Sequence, residues 1–150
     1  MKHVLAFAIA LLFAMPSMAQ ETDDTPPELP IVDAEGVELS QFLWVSRPVI
    51  VFADSPNDPQ FVEQMRLLAD DPGALLRRDV VVLVDTNPAA RSPLRQELFP
   101  RGFSLVLISK DGSARIRKPL PWDTREISRW IDKLPTRQQE IRQMNSDDRG

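Results

Sequence analysis

Three short apolar runs constrain this chain more than anything else in it: Val49–Ala53 (VIVFA), Val80–Val84 (VVVLV) and Leu105–Ile108 (LVLI). None alternates polar with apolar residues, so none has a face meant for water. Runs of this length, bounded by turn residues, suit strands buried on both faces, in a sheet that helices cover on either side. Their valine and isoleucine content favours strand over helix, because branched side chains pack well on a pleated surface.

The segments between them carry helical signals. Asp58-Pro59 is an N-cap followed by proline at the first helical position, and Phe61, Met65 and Leu68 then recur on one face. Pro72-Gly73 is read as the end of that segment. Ser92-Pro93 repeats the cap, with Leu94 and Leu98 on one side of a short helix. Asp111-Gly112 is a hairpin turn signal, after which Ala114 and Ile116 alternate with Arg115 and Arg117, as expected of an edge strand with one wet face. Asp123 with Glu126 forms a capping box, and Ile127, Trp130, Ile131 and Leu134 make a helical stripe that Pro135 is expected to stop. Thr136–Met144 is read as a further short helix. Two parallel crossovers, then an antiparallel hairpin and a closing helix, give an α/β fold: a central mixed sheet flanked by helices in the thioredoxin-like arrangement.

The ends bound the domain and suggest a compartment. Lys2, an apolar stretch Val4–Met15, the breaker Pro16 and the small residues of Ser17-Met18-Ala19 make the three parts of an export signal. Residues 1–19 are thus expected to be cleaved before Gln20, giving an exported, periplasmic or secreted protein with no membrane span after cleavage. The apolar stretch falls short of the roughly 20 residues that a spanning helix needs. Residues 20–30, acidic and proline-rich, are expected as a flexible linker, 31–144 as the thioredoxin-like domain and 145–150 as a frayed tail. The chain has no cysteine, and its single histidine, His3, lies in the export segment. Stability must come from packing rather than disulfides. The formal net charge of −4 argues against electrostatically driven binding of nucleic acid.

Before the first core strand, Ile31–Trp44 holds an acidic-Gly turn and then Leu39-Ser-Gln-Phe42, which resembles the lead-in of peroxiredoxins. Trp44-x-x-Arg47-Pro48-Val-Ile-Val-Phe52, Gln64-x-x-x-Leu68, Arg77-Arg78-Asp79-Val80, Lys110-Asp111-Gly112 and Leu134-Pro135-x-Arg137-Gln138-x-Glu140 together resemble the bacterial domain of unknown function 4174 family. A related domain occurs in animal extracellular sushi-repeat proteins. The resemblance covers about residues 40–143 and implies a thioredoxin-like fold but no activity. Where redox relatives carry their active-site motif, after the first core strand, this chain has Asp54-Ser-Pro-Asn-Asp-Pro-Gln60. Thiol–disulfide exchange and peroxide reduction need a thiolate and are excluded on this chain.

Ligands of open α/β sheets bind beyond the carboxyl ends of the strands. Three segments meet there in this arrangement, Asp54–Asp58, Asp85–Asn87 and Arg101–Ser104. The candidate binding loop is therefore Asp54, Ser55, Asn57, Asp58, Asp85 and Phe103. The bland alternative is that the same residue types only make turns and caps. Arg47, before a proline at a strand start, is a candidate anion contact, or else the partner of an acid, or an exposed edge arginine. Trp122 is either a contact residue or packing beneath the last helix. No catalytic residue is assigned, because no nucleophile–base pair is visible. No cofactor is expected. Zinc and copper lack their usual ligands, and no metal ligand is assigned. The expected function is a redox-inactive module that binds a protein or peptide partner of the cell envelope. The alternative is a small-anion or divalent-cation binding or hydrolytic protein using Asp54, Asp58 and Asp85.

Overall fold

The computed structural model describes residues 27–149. The expected export segment, His3 and most of the linker lie outside the described residues. Five strands form one sheet, β1 (Ile31–Asp33), β2 (Arg47–Phe52), β3 (Val80–Asp85), β4 (Ser104–Ile108) and β5 (Arg115–Lys118), in the spatial order β1-β3-β2-β4-β5. β3 pairs parallel with both β1 and β2, β2 pairs antiparallel with β4, and β4 with β5. The three apolar runs are the three central strands, and every residue of β2 and β4 is buried.

Period-two alternation divides those strands between two cores. Val49, Val51, Val80, Val82, Leu105 and Leu107 face Leu68 of α1 (Pro59–Asp70), Leu75 of α2 (Pro72–Leu76), and Ile127 and Ile131 of α4 (Thr124–Asp132). Ile50, Phe52, Val81, Leu83, Val106 and Ile108 face Leu94 and Leu98 of α3 (Pro93–Leu98) and the 3-10 turn Leu39–Phe42. Truncating a fully buried leucine such as Leu68 or Leu75 to alanine would cost about 2–5 kcal/mol. This is the thioredoxin-like α/β arrangement expected from the order of elements.

The caps explain where the helices begin. Asp58 accepts from Gln60 N at 2.8 Å and Phe61 N at 3.4 Å, Ser92 from Arg95 N at 3.1 Å, and Asp123 and Glu126 exchange both bonds of a capping box. Two prolines act differently from the sequence expectation. Pro72 does not merely end α1: Asp71 accepts from Ala74 N at 3.0 Å and Pro72 opens α2. Pro135 begins a helix, α5 (Pro135–Asp147), directly after α4. Thr136 is therefore inside α5 rather than its cap, and the helix runs three residues beyond Met144. A proline at the first helical position loses no hydrogen bond, so it starts a helix as readily as it stops one. β1 is the strand the apolar pattern did not show, because all three of its residues are exposed. The linker's last residues are held, not free: Leu29 packs on the first core and Pro30 O accepts from Val82 N at 2.9 Å.

Candidate functional site

At the carboxyl end of β2 and β3, most of the expected polar loop residues are engaged by their neighbours, whereas Asp54 is exposed. Ser55 Oγ accepts from Asn57 N at 3.1 Å, and Asp58 caps α1. Asp85, only 6% exposed, is held by three donors: Arg95 Nε at 2.8 Å, Ser92 Oγ at 2.5 Å and Asn87 N at 3.2 Å. Arg95 Nη2 reaches on to Ala53 O at 2.6 Å and Asp85 O at 3.1 Å, and its guanidinium lies 5.5 Å from the Phe52 ring centroid. One arginine thus ties the ends of both strands together. Phe103 is buried among Val51, Leu105 and their neighbours on the α1–α4 face. The Asp54–Asp58 loop and Asp85 do meet at this sheet end, where Arg95 bridges Asp85 and Ala53 O across the ends of β2 and β3. The hollow beside it, lined by Asp33, Glu35, Asp85 and Asn87, measures about 80 Å³. Among the described residues, no three carboxylates gather into a set that could hold a metal ion.

Arg95 escaped the sequence reading although a signal existed. Ser92-Pro93 opens α3 seven residues after Asp85, so a cation in that short helix falls within reach of the acid that ends β3.

Arg47 is neither exposed nor available to an external anion. It is 1% exposed, donating from Nη2 to Glu140 Oε1 at 2.8 Å and from Nη1 to Arg78 O at 2.8 Å. Around it, Lys110 Nζ lies 2.7 Å from Asp79 and 3.2 Å from Glu140, and Arg137 Nη1 donates to Glu140 Oε2 at 3.0 Å. Arg78 grips Asp132 with two bonds of 2.9 and 2.7 Å. Burial pushes the Glu140 carboxyl up, but the bonds from Arg47, Arg137 and Lys110 outweigh it and bring its pKa down to about 2. The Arg78 bonds hold the Asp132 carboxyl below its usual value as well. Six charged residues of the motifs that carry the resemblance, Arg47, Arg78, Asp79, Lys110, Arg137 and Glu140, converge here, at the sheet end opposite the Asp54–Gln60 loop. Their acids and bases answer one another, so the network fastens α5 to the sheet.

Three consecutive apolar side chains face outward near that same end. After the 3-10 turn, Leu43, Trp44 and Val45 are 44%, 70% and 65% exposed. Trp44 has a φ of 62°, a left-handed conformation that bulky residues rarely adopt. Its N–H donates to Lys110 O at 2.7 Å, and Val45 N and Ser46 N both donate to Phe42 O at 3.0 Å. Gly112 underlies the segment: its φ is 73°, and a Cβ there would come within 3.0 Å of Leu43 Cδ2. A groove of about 320 Å³ opens alongside, with Phe42, Leu43, Pro48, Pro93 and Ile108 on its walls and Glu38, Glu97, Lys110 and Arg115 among the residues around it. The sequence reading took Trp44 only as part of the resemblance. An apolar Leu-Trp-Val triplet outside any helical or strand period was the signal for a surface. Trp122, in contrast, is half-buried, with its backbone N and O both bonded to the buried Gln64 amide at 2.9 Å and Lys118 Nζ 4.4 Å from its ring.

The family described as "Domain of unknown function (DUF4174)" matches residues 38–140. No curated protein matches the chain. Among solved structures, a chloroplastic thioredoxin z is similar at 18% identity, with a TM-score of 0.55 over 72% of this chain and 95% of that one. A reduced 2-Cys peroxiredoxin of Plasmodium vivax is similar at 16% identity, with a TM-score of 0.51 over 69% of this chain and 85% of that one. These two likenesses concern the fold.

Proposed function

Because the chain belongs to the DUF4174 family, whose description assigns no function, we propose on physical grounds that it is an exported, redox-inactive thioredoxin-like module that binds a protein or peptide through Leu43–Trp44–Val45 and the adjoining groove. One observation carries this reading: a tryptophan 70% exposed is held in a left-handed backbone by a bond to Lys110. Backbone strain of this kind costs about 1–3 kcal/mol and persists only where its surroundings enforce it. Exposed tryptophans anchor interfaces out of proportion to their number, and apolar grooves with a few polar groups accept side chains of extended partners. The groove's apolar walls suit one apolar side chain of a peptide, and its mixed-sign rim suits backbone and polar flanks.

The export pattern of residues 1–19 supports a partner in the cell envelope or outside the cell. The strand-end loop is a weaker candidate surface, because Asp85 is already paired with Arg95 and Ser92. Affinity capture from envelope extract with wild type, Trp44→Ala and Asn57→Ala separates the two surfaces. A partner kept by wild type and Asn57→Ala but lost by Trp44→Ala is expected. A partner lost by Asn57→Ala and kept by Trp44→Ala would overturn the reading.

A further inference from the structure

We propose that the groove between α2 and α4 is a binding site for a phosphate group, independent of the Trp44 surface. The groove measures about 290 Å³ and is lined by Arg77, Arg78, Arg125, Arg129, Ser128 and Asp71, with Asp132 at its end. Arg78 and Asp132 neutralise one another through their paired bonds. Arg77, Arg125 and Arg129 enter no ion pair among the described residues, whereas Asp71 spends one oxygen on Ala74 N at 3.0 Å. Three uncommitted cations therefore face one acid. Arg125 and Arg129 stand one turn apart on α4, where like charges repel and destabilise a helix slightly. Arg129 gains from its place in the last turn of α4, but Arg125, in the first turn, gains nothing from that placement.

A second observation points to a ligand. Ser128 is 8% exposed and lines the groove, yet its Oγ is buried without a hydrogen-bond partner. Buried hydroxyls are nearly always satisfied, so an orphan beside a cationic groove marks a place for an acceptor. Guanidinium forks match the oxygens of phosphate and carboxylate alike. Donors here come from three side-chain forks and a hydroxyl, which suits a tetrahedral dianion with several free oxygens better than a flat carboxylate. The volume lies at the small end of ligand sites, fitting a single phosphate-bearing molecule or headgroup rather than a polymer.

Isothermal titration with inorganic phosphate and with pyrophosphate, at low salt, tests this. Pyrophosphate should bind with an affinity that falls as salt rises, and Arg125→Gln and Arg129→Gln should each weaken it about tenfold, as loss of a charged hydrogen bond predicts. Ser128→Ala should weaken binding several-fold without lowering the melting temperature, because it removes an unsatisfied hydroxyl. That combination distinguishes a ligand-facing serine from a structural one. Arg91→Gln, an exposed arginine outside the groove, should change nothing. Flotation with phosphatidic-acid vesicles identifies the source: arginine-dependent flotation assigns the phosphate to a lipid headgroup, and pyrophosphate binding without flotation assigns it to a soluble molecule. No heat with millimolar pyrophosphate, or equal weakening by Arg91→Gln, would overturn the proposal.

Discussion

Glu140 shows how one carboxylate can hold a helix in place. Three cations surround it, and its pKa falls from 4.5 to about 2. A depressed carboxylate pKa adds stability that is fully present above the unfolded value and lost as pH falls through the folded one. The gain is on the order of 3 kcal/mol, and it disappears between about pH 4.5 and pH 2. Glu140→Gln should therefore cost roughly 3 kcal/mol at pH 7, since it leaves Arg47 buried without its counter-charge. The variant should also lose much less stability than wild type on acidification, as urea melts at pH 7 and pH 3 would read. Trp44 makes the opposite prediction. If its strained backbone serves binding rather than folding, Trp44→Gly should leave stability unchanged or raise it by about 1 kcal/mol, glycine being free of the left-handed penalty. A loss above about 2 kcal/mol in the same melts would show that the tryptophan is structural. Single residues were the hardest part to read from sequence. Arg47 and Glu140 are 93 positions apart, and only the register of β2 against β3 and the placement of α5 bring them together.

Among the elements, α4 and α5 differ in what holds them. α4 buries Ile127 and Ile131 in the core, whereas Arg137 is the only buried residue of α5. A helix of 13 residues is marginal alone, so α5 depends on the ion pairs of Glu140 and Arg137. Hydrogen exchange, corrected for intrinsic rates, should show α5 losing protection at pH 3 before α4 does; simultaneous loss would mean that the helix docks by other means. The sequence made α4 legible through its apolar stripe and capping box, and the central strands through their unbroken apolar runs. It left α5 poorly bounded, because a polar helix has no stripe to read and Pro135 fits a start as well as a stop. β1 was hidden for a related reason: three exposed residues carry no burial pattern, and its place is set by pairing with β3.

At the scale of the whole molecule, the absence of cysteine agrees with how the strand ends are built. Where a redox relative carries its reactive motif, the Asp54–Asp58 segment serves as turn and cap, and beside it Arg95 and Ser92 are bonded to Asp85. Three exposed apolar side chains, Leu43, Trp44 and Val45, stand together between the 3-10 turn and the start of β2. Composition and strand order reveal the scaffold and the missing chemistry, because both follow from local pattern. They point to the carboxyl end of the sheet for a surface, because topology says where ligands of such sheets usually bind, whereas the exposed Trp44 that carries the proposed surface is set by a backbone turn at the opposite end. Photo-crosslinking tests the proposed surface most directly, with a benzoylphenylalanine at position 44 or at position 57 of the full chain in living cells. The account predicts one discrete adduct from position 44, none from position 57, and competition by excess wild type but not by Trp44→Ala. An adduct from position 57 alone would contradict it.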